Sequence, residues 1–596
     1  MNEKDSPSSD NTLTFKQLFS IQLTKYWKYA RKWFPFAFLI GAVSGVLMSL
    51  FTALVVNLQV WLDVIPIYVR FPLVGGITSI FLYFGFREVR GAGISYVLKH
   101  KNTTTPIPPR VILTKFFTSV LTLGVNSPAG REGPAVTLGS ATSSVIGDKL
   151  GMTKEDEMHA ITIGAAACTA AVFRAPLGGT VFASEVPYKR DLDETVFLPA
   201  LIASAISMLI SDSILRALHS TPSYFDLGPI NLDLTFLNSL HFIIIGIFAG
   251  FFGIGFSILF KMFAKWIEKY LKSFLLPFFG MLLTTLVVFF VDKHYLSDGV
   301  SLEGTGFESI NSLVIDFNSI TIGVLLVLFI GKILVTSTCV GFGNSAGVMG
   351  PSLVTGAALG ALYAKIVPTI EPIAVPVIVV SMSAMHTATT KTPIASMILV
   401  LEMVGFPNLV IPFILSNAMA FIISMDFSLY GGQIESKEVI LRRRIQYTDL
   451  LTTLTVKEAM EEQYPTVKED ASLQDSFSLL YLHKTSALLV VDKEEQLKGI
   501  ISAIDFQAGF ASGKTYVNEV MTKDVIVAFP DETLNQAFDR LTENGIECMP
   551  VVDKEKKEQV VGVIRFRDIE NRYETALTKL QSQRELTMEE IEEDDI

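Results

Sequence analysis

The sequence predicts an all-helical, polytopic membrane domain with an inverted internal repeat, followed by a small α/β domain. Three observations lead to this prediction. Half of the 596 residues are hydrophobic and only 18% are charged, which is too apolar for an ordinary soluble protein of this length. Two segments of the apolar part recur at one fixed spacing. From about Glu435 onward, charged residues become frequent and apolar runs become short.

The apolar part contains several stretches long enough to cross a bilayer, which takes roughly 20 apolar residues. The clearest are 34–62, 236–260, 274–291 and 320–340. The first is too late and too long for a cleavable signal peptide. The lysines and arginines before it predict a cytoplasmic N-terminus by the positive-inside rule. If the C-terminal domain is also cytoplasmic, the chain crosses the plasma membrane an even number of times.

These patterns divide the chain into six parts. We expect a cytoplasmic segment, a membrane domain, a linker, two similar soluble units and an acidic tail, at 1–33, 34–435, 436–453, 454–513, 514–575 and 576–596. The net charge of −11 comes largely from the soluble part and the tail, so it indicates no particular ligand. The three cysteines lie too far apart for a metal site, and no nucleophile–base pair stands out. We expect no enzymatic activity, no metal and no required cofactor.

The internal repeat pairs residues that are 217 positions apart. Residues 130–139, GREGPAVTLG, match 347–356, GVMGPSLVTG, in three glycines and one proline. Residues 173–185, FRAPLGGTVFASE, match 390–402, TKTPIASMILVLE, in one proline and the final glutamate. Close packing of membrane helices also selects small residues, but packing alone does not predict a shared spacing.

Each half of the repeat runs from a polar, small-residue loop into Gly-x-x-Gly-Pro and then an apolar helix. Proline is favoured in the first turn of a helix, and helix N-termini attract anions through free N–H groups and the helix dipole. Two such starts inside the membrane would build an anion site where the halves meet. Glu132 occupies the anion position in the first half, whereas the matching residue of the second half is Met349. A carboxylate there is a tethered competitor that leaves when it is protonated or displaced, so it can act as a gate.

Five segments carry a resemblance to a known family. They are RGAGIS at 90–95, GREGP at 130–134, FRAPLGGTVFASEV at 173–186, SAGVMGP at 345–351 and SLYGGQ at 428–433. Together they resemble the CLC family of chloride channels and proton-coupled chloride exchangers, over about residues 35–435. The resemblance implies a homodimer with one pore per subunit and a gate at Glu132. It also implies an anion site formed by Ala92, Gly93, Gly130, Arg131, Gly133, Val348, Met349 and Tyr430.

Within that site, the resemblance assigns the backbone N–H groups of Val348 and Met349 and the hydroxyl of Tyr430 to the central anion. Three residues depart from the family pattern. Ala92 replaces a serine whose hydroxyl binds the anion, Ser95 replaces a proline, and Met349 replaces a phenylalanine beside the pore. The loss of one hydroxyl donor predicts a weaker central site, or one that depends more on backbone groups.

A fourth departure concerns proton coupling. Exchangers of the family often carry a second glutamate that faces the cytoplasm, and this chain has Val186 there. A valine cannot carry a proton, so the sequence favours channel-like chloride movement or weak coupling. The alternative is a proton-coupled chloride or fluoride antiporter, in which the neighbouring Glu185 or water completes the proton pathway. The repeat mate of Glu185 is Glu402, which suggests a structural role common to both halves.

The soluble part contains two similar units that resemble a tandem pair of CBS domains, which often bind adenine nucleotides. The binding pattern appears as GIISAID, with Ser502 and Asp505, and as GVIRFRD, with Arg565 and Asp568. The resemblance implies that the aspartate holds ribose hydroxyls. The alternative is that the pair only packs the dimer and binds nothing.

Two further function classes remain open. The membrane part could be a scaffold for a nucleotide-sensing CBS pair, or the chain could be an enzyme. The isolated His386 is expected to be a buried helix histidine rather than a catalytic group. The main interpretation implies four partners, namely a small anion, the lipid bilayer, a second copy of the chain and an adenine nucleotide, and no nucleic acid.

Overall fold

The computed structural model describes residues 15–103, 105–220, 232, 235–268, 272–296, 299–367, 370, 373–436, 451–483, 485–556, 559–573 and 575–576. The chain divides into two compact units, residues 1–437 and 438–596. Most of the predicted linker and of the acidic tail lies outside the described residues. The first unit is built from helices and the second from short strands and helices.

The first half of the helical unit contains helices α1 to α8. They are Phe15–Leu62, Ile67–Tyr83, Ile94–Thr103, Arg110–Gly124, Glu132–Lys149, Lys154–Phe173, Pro176–Glu185 and Phe197–Ala217. The second half contains α9 to α16. They are Phe236–Glu268, Leu276–Tyr295, Phe307–Ile315, Ile322–Thr336, Met349–Ile366, Ala374–Thr390, Pro393–Val404 and Val410–Ile423. Helix α1 begins at Phe15, well before the predicted boundary at residue 34, because no helix-breaking residue precedes Pro35 in this stretch.

The repeat predicted from sequence is confirmed in the backbone. Helices α5 and α13 begin and end at the spacing of the sequence repeat, and α7 and α15 each begin at a proline with that same spacing. The residues that end α6 and α14, Arg174 and Lys391, both adopt the left-handed conformation, with φ of 53° and 62°. A basic side chain in this strained conformation at both places shows that the two halves follow the same path.

Helices α5 and α13 form the centre of the unit. Nearly every residue of both is buried, so neither shows the one-sided apolar stripe of a surface helix. The outer helices expose large apolar side chains instead, such as Phe251 on α9. Among the described residues, five helices are long and apolar enough to cross a membrane, at Tyr26–Leu62, Phe197–Ala217, Phe236–Met262, Ser273–Tyr295 and Ile322–Gly341. They include the four stretches that the sequence singled out.

The described part of the second unit contains two small sheets and several short α-helices. Strands β1 to β3 are Thr466–Lys468, Ala487–Val491 and Leu497–Ser502, and strands β4 and β5 are Cys548–Val552 and Val560–Arg565. Helices α17 to α20 are Val456–Ala459, Leu473–Leu482, Ala503–Ala511 and Leu534–Asn544. Strand β1 pairs with β2 in parallel, whereas β2–β3 and β4–β5 are antiparallel.

Each of the two cores in the second unit contains residues from both sequence repeats. Val456, from the first repeat, is buried in the cluster that contains Leu534 and Ile564 of the second. Val517, from the second repeat, is buried with Leu488 and Ile501 of the first. The repeats therefore exchange their first segments, and a cut between residues 513 and 514 would divide both cores.

Candidate anion site where two helices begin

Glu132 lies at the first residue of α5, and its carboxylate contacts the start of α13. Its Oε1 accepts a hydrogen bond from the backbone N–H of Met349, the first residue of α13. Both side chains are fully buried. The carboxylate of one half thus occupies the helix N-terminus of the other half, which is the position that an anion would take.

Two glycines make this contact sterically feasible. Gly130 and Gly347 form a reciprocal pair of backbone hydrogen bonds, with N···O distances of 2.8 and 2.7 Å. A Cβ atom on either residue would overlap the carboxylate of Glu132. The glycines of the repeated motif are therefore explained by the close approach of the acidic side chain.

A pocket of about 170 Å³ lies next to this contact, and we call it the Tyr430 pocket. It brings together four of the predicted anion-binding residues, namely Ala92, Gly93, Val348 and Tyr430. The hydroxyl of Tyr430 is buried and has no hydrogen-bond partner among the described residues. Gly133 packs against the carbonyl of Ala92, so the predicted loop 90–95 meets the first turn of α5 directly.

A second and larger pocket, of about 480 Å³, is lined by Arg131, Asn126 and the loop 299–309. We call it the Glu303 pocket, because Glu303 belongs to its lining. Arg131 immediately precedes α5, so it lies on this side of Glu132 and not in the Tyr430 pocket. The predicted site residues therefore divide between two cavities.

Two buried lysines support the two pocket loops, and the sequence analysis missed both. Lys115 Nζ donates to the carbonyl of Gly91 at 2.6 Å. Lys332 Nζ donates to the carbonyls of Leu302, Glu303 and Gly304 at 2.9, 3.1 and 2.9 Å. Both lysines are fully buried. Each lysine supplies the hydrogen-bond donor for the backbone carbonyls of its loop and so fixes the loop beside its pocket.

The two lysines have the same spacing along the chain as the two helix starts, and this spacing could have revealed them. The loops that they hold are also equivalent, because RGAG at 90–93 corresponds to EGTG at 303–306. Gly91 and Gly93 have φ of 62° and 82°, and Gly304 and Gly306 have φ of 58° and 85°. The two lysines are 217 residues apart, as the helix starts are, but the two loops are slightly closer together along the chain. The loops therefore do not match at the spacing of the repeat.

Helix α4 and the residues that follow it contact the loops of both pockets. Lys115 on α4 contacts the loop of the Tyr430 pocket, and the carbonyl of Asn126, just after α4, accepts from Gly304 N in the Glu303 pocket at 2.8 Å. Eleven residues at 1.5 Å each separate these contacts by about 16 Å. Glu132 directly follows Arg131, which lines the Glu303 pocket, and its carboxylate contacts Met349, the neighbour of Val348 in the Tyr430 pocket.

Glu185 and Glu402 form a second reciprocal pair between the halves. Glu185 accepts hydrogen bonds from Ile394 and Ala395 N–H at 3.2 and 2.7 Å, at the start of α15. Glu402 accepts from Leu177 and Gly178 N–H at 3.2 and 2.7 Å, at the start of α7. Each glutamate is a cap for the helix of the other half.

This arrangement bears on the predicted proton pathway. Both carboxylate oxygens of Glu185 are engaged in the cap, and Val186 beside it is buried and apolar. The geometry therefore gives Glu185 the structural role that its repeat mate suggested.

Residues 75–425 match the family model described as voltage gated chloride channel, which covers more than half of the chain. The chain belongs to the CLC family. Its helical unit is therefore an anion transport domain. Residues 456–509 and 517–574 match the CBS domain, so the second unit is a tandem CBS pair.

Relatives and solved structures agree with this assignment. The CLC chain is 28% identical over 403 residues to the H+/Cl− exchange transporter ClcA of Vibrio cholerae, covering 61% of this chain and 77% of that protein. It is 27% identical over 380 residues to an uncharacterized protein of Methanocaldococcus jannaschii, covering 63% and 89%. The fold is similar to that of a CLC-type fluoride/proton antiporter, with a TM-score of 0.59, 22% identity and coverage of 71% and 99%. It is also similar to a eukaryotic CLC transporter, with a TM-score of 0.57, 17% identity and coverage of 91% and 98%.

The CBS pair of this CLC protein carries two non-equivalent candidate nucleotide positions. At the first, Asp505 Oδ2 accepts from the backbone N–H and the hydroxyl of Ser502, both at 2.8 Å, in a capping box at the start of α19. At the second, Asp568 Oδ2 accepts from Arg565 Nε at 2.9 Å, and the guanidinium also pairs with Glu461. The hydrogen bond to Asp568 raises the pKa of Arg565, so this ion pair persists at neutral pH.

Proposed function

We propose that this CLC protein exchanges protons for a small anion, chloride or fluoride, with Glu132 as both gate and proton carrier. One observation carries the proposal, namely that the carboxylate of Glu132 occupies the helix N-terminus where an anion binds. An ionised Glu132 competes with the anion for the N–H of Met349. A protonated Glu132 has lost the charge that holds it there, so anion binding and proton binding become linked.

The proposal takes up the antiporter alternative in place of the channel-like interpretation that rested on Val186 and Ala92. The relatives named as H+/Cl− exchange transporters, which share 26–28% identity with this chain, support the antiporter alternative instead. Val186 bears only on one route for the proton, whereas the linkage at Glu132 needs no second glutamate. The proposal includes fluoride as well as chloride as the transported anion, because Ala92 provides no hydroxyl group to the anion pocket.

The experiment is reconstitution of the full chain in liposomes, with chloride and proton fluxes followed separately. We expect an outward chloride gradient to drive protons inward against their own gradient. Glu132→Gln, which mimics the protonated carboxylate, should keep chloride flux and lose proton movement. Glu308→Gln removes a carboxylate from the Glu303 pocket without touching the anion position, so it serves as the control.

Two outcomes would contradict the proposal. Chloride gradients that collapse without any proton movement in the wild type would indicate a channel. Unchanged proton movement in Glu132→Gln would show that another group carries the proton.

We further propose that the protein is a homodimer in the plasma membrane with both termini cytoplasmic, and that its CBS pair binds an adenine nucleotide at Asp505. The support is chemical, since Asp505 has carboxylate capacity beyond its capping bonds, whereas the guanidinium of Arg565 occupies Asp568. Titration of the full protein with AMP, ADP and ATP should show binding that Asp505→Asn weakens more than tenfold, while Asp568→Asn has a smaller effect. No binding of any of the three would leave a CBS pair that only packs the dimer.

A further inference from the structure

His386 is a fully buried titratable group that the gate and the helix caps do not use. It lies on α14, with no exposed surface. Its Nδ1 lies 2.9 Å from Ser352 Oγ, and its ring stacks on Phe182 with centroids 6.1 Å apart. Its Nε2 has no hydrogen-bond partner among the described residues. Buried polar atoms are almost always paired, so an unpaired ring nitrogen needs an explanation.

The imidazole is linked to Glu132 through the first turn of α13. Ser352 Oγ, which holds Nδ1, donates to the carbonyl of Met349 at 2.7 Å. The N–H of the same Met349 binds the carboxylate of Glu132. One residue of α13 therefore has Glu132 on its N–H and the Ser352–His386 pair on its carbonyl.

The same ring lies close to the Tyr430 pocket. Val348 lines that pocket, and Ser352 is one helical turn further along α13, donating its N–H to the Val348 carbonyl at 3.0 Å. The loop that carries Tyr430 docks on α14 itself, because Leu429 N donates to Thr389 O at 2.7 Å. Ser352 thus connects the ring of His386 to Val348, which lines the pocket, and to Met349, which binds the gating carboxylate.

Other charged groups near α14 have different positions. The elements that pack on α14, and the loops beside it, carry Glu132, Glu185, His241, Lys261, Lys265, Tyr363, Lys365, Lys391, Glu402, Asp426 and Tyr430. Within the described part of the chain, none of these side chains is hydrogen-bonded or ion-paired with the imidazole. Glu185, the other candidate for an inner proton group, has both oxygens committed to the start of α15.

We infer that His386 carries the transported proton between the Tyr430 pocket and Glu132. The inference rests on the proposed antiport function and deepens it. A proton arriving from water in the pocket forms an N–H bond at Nε2. The imidazolium then releases the Nδ1 proton to Ser352 Oγ. The serine hydroxyl turns away from the Met349 carbonyl, to which it donates at rest, and passes its own proton through water to the carboxylate of Glu132. Neutral imidazole and a protonated gate remain, so the proton count balances without any co-reactant. The proton pathway then does not need a titratable side chain at the position of Val186.

His386→Asn is the sharpest test, because an asparagine amide can replace Nδ1 as the partner of Ser352 but cannot bind a proton. In liposomes that hold the full chain, we expect proton movement driven by chloride to fall at least tenfold. Chloride flux should stay within about twofold of wild type, and the thermal unfolding midpoint should change little. Ser381→Ala removes a buried, unpaired hydroxyl from the same helix, so it controls for a general disturbance of α14.

The outcomes separate this inference from the function on which it rests. A wild-type protein that moves no protons overturns both. A wild type that couples, together with a His386→Asn variant that keeps the same proton-to-chloride ratio, overturns only the role of His386. If His386→Asn does not fold, Ser352→Ala takes its place, because it removes the hydroxyl between the imidazole and the gate. Undiminished proton movement in Ser352→Ala would likewise contradict the inference.

Discussion

The reciprocal caps Glu185 and Glu402 allow a structural role to be distinguished from a proton-carrying role. We consider Glu185→Gln and Glu402→Gln, which preserve size and remove the charge. A glutamine amide can accept one of the two N–H bonds at the facing helix start, but its NH2 group must then face the other. Each change therefore removes one charge-assisted hydrogen bond and one favourable charge at a helix N-terminus.

The magnitude follows from those two losses. A hydrogen bond to a charged group contributes roughly 1.5–3 kcal/mol, and a charge at a helix N-terminus contributes roughly 0.3–1 kcal/mol. We therefore expect each variant to lower the free energy of unfolding by roughly 2–4 kcal/mol. Glu185 is more completely buried than Glu402, so Glu185→Gln should have the larger effect.

The assay is thermal unfolding of the full chain in detergent, combined with proton and chloride fluxes in liposomes. Both variants should unfold at lower temperature than wild type, and the shift should exceed that of Glu308→Gln, a change in the first turn of α11 that removes no cap between the two halves. The surviving protein should keep the wild-type ratio of protons to chloride in both cases. Unchanged stability together with lost proton movement in Glu185→Gln alone would refute this reasoning and make Glu185 the inner proton group.

Three other predictions concern the gate and the pocket loops. Gly347→Ala places a methyl group where the carboxylate of Glu132 lies. Chloride flux should therefore rise and its pH dependence should weaken, and an unchanged pH profile in the flux assay would contradict this. Lys332→Met leaves three buried carbonyls without their donor, so the unfolding midpoint should drop by more than in Lys365→Met, whose lysine is partly exposed. Tyr430→Phe removes a hydroxyl that has no partner within the described residues, so anion affinity measured by calorimetry should fall roughly tenfold, as expected for one hydrogen bond to a charged ligand, with stability unchanged.

Much of this protein could be predicted from short patterns along the chain. The repeat at 130–139 and 347–356 identified two buried helix starts, because Gly-x-x-Gly-Pro restricts the backbone locally. The placement of Glu132 in that motif predicted a carboxylate at a buried helix start for the same reason, and the structure shows it there. The four apolar stretches and the change in composition near residue 435 separated membrane and soluble parts, since hydropathy depends only on composition.

The remaining features depend on contacts between residues far apart in sequence, and only the tertiary structure shows them. Glu185 reaches the start of α15 in the other half of the repeat, a contact that its position beside Val186 in the sequence does not reveal. Lys115 and Lys332 find their carbonyls in loops whose spacing differs from that of the lysines. His386 appeared isolated because its partner Ser352 lies on another helix, and the CBS repeats exchange segments that look continuous in sequence. The physical reason is the same in each case, because a buried polar group must find a partner wherever the folded backbone brings one within hydrogen-bond distance.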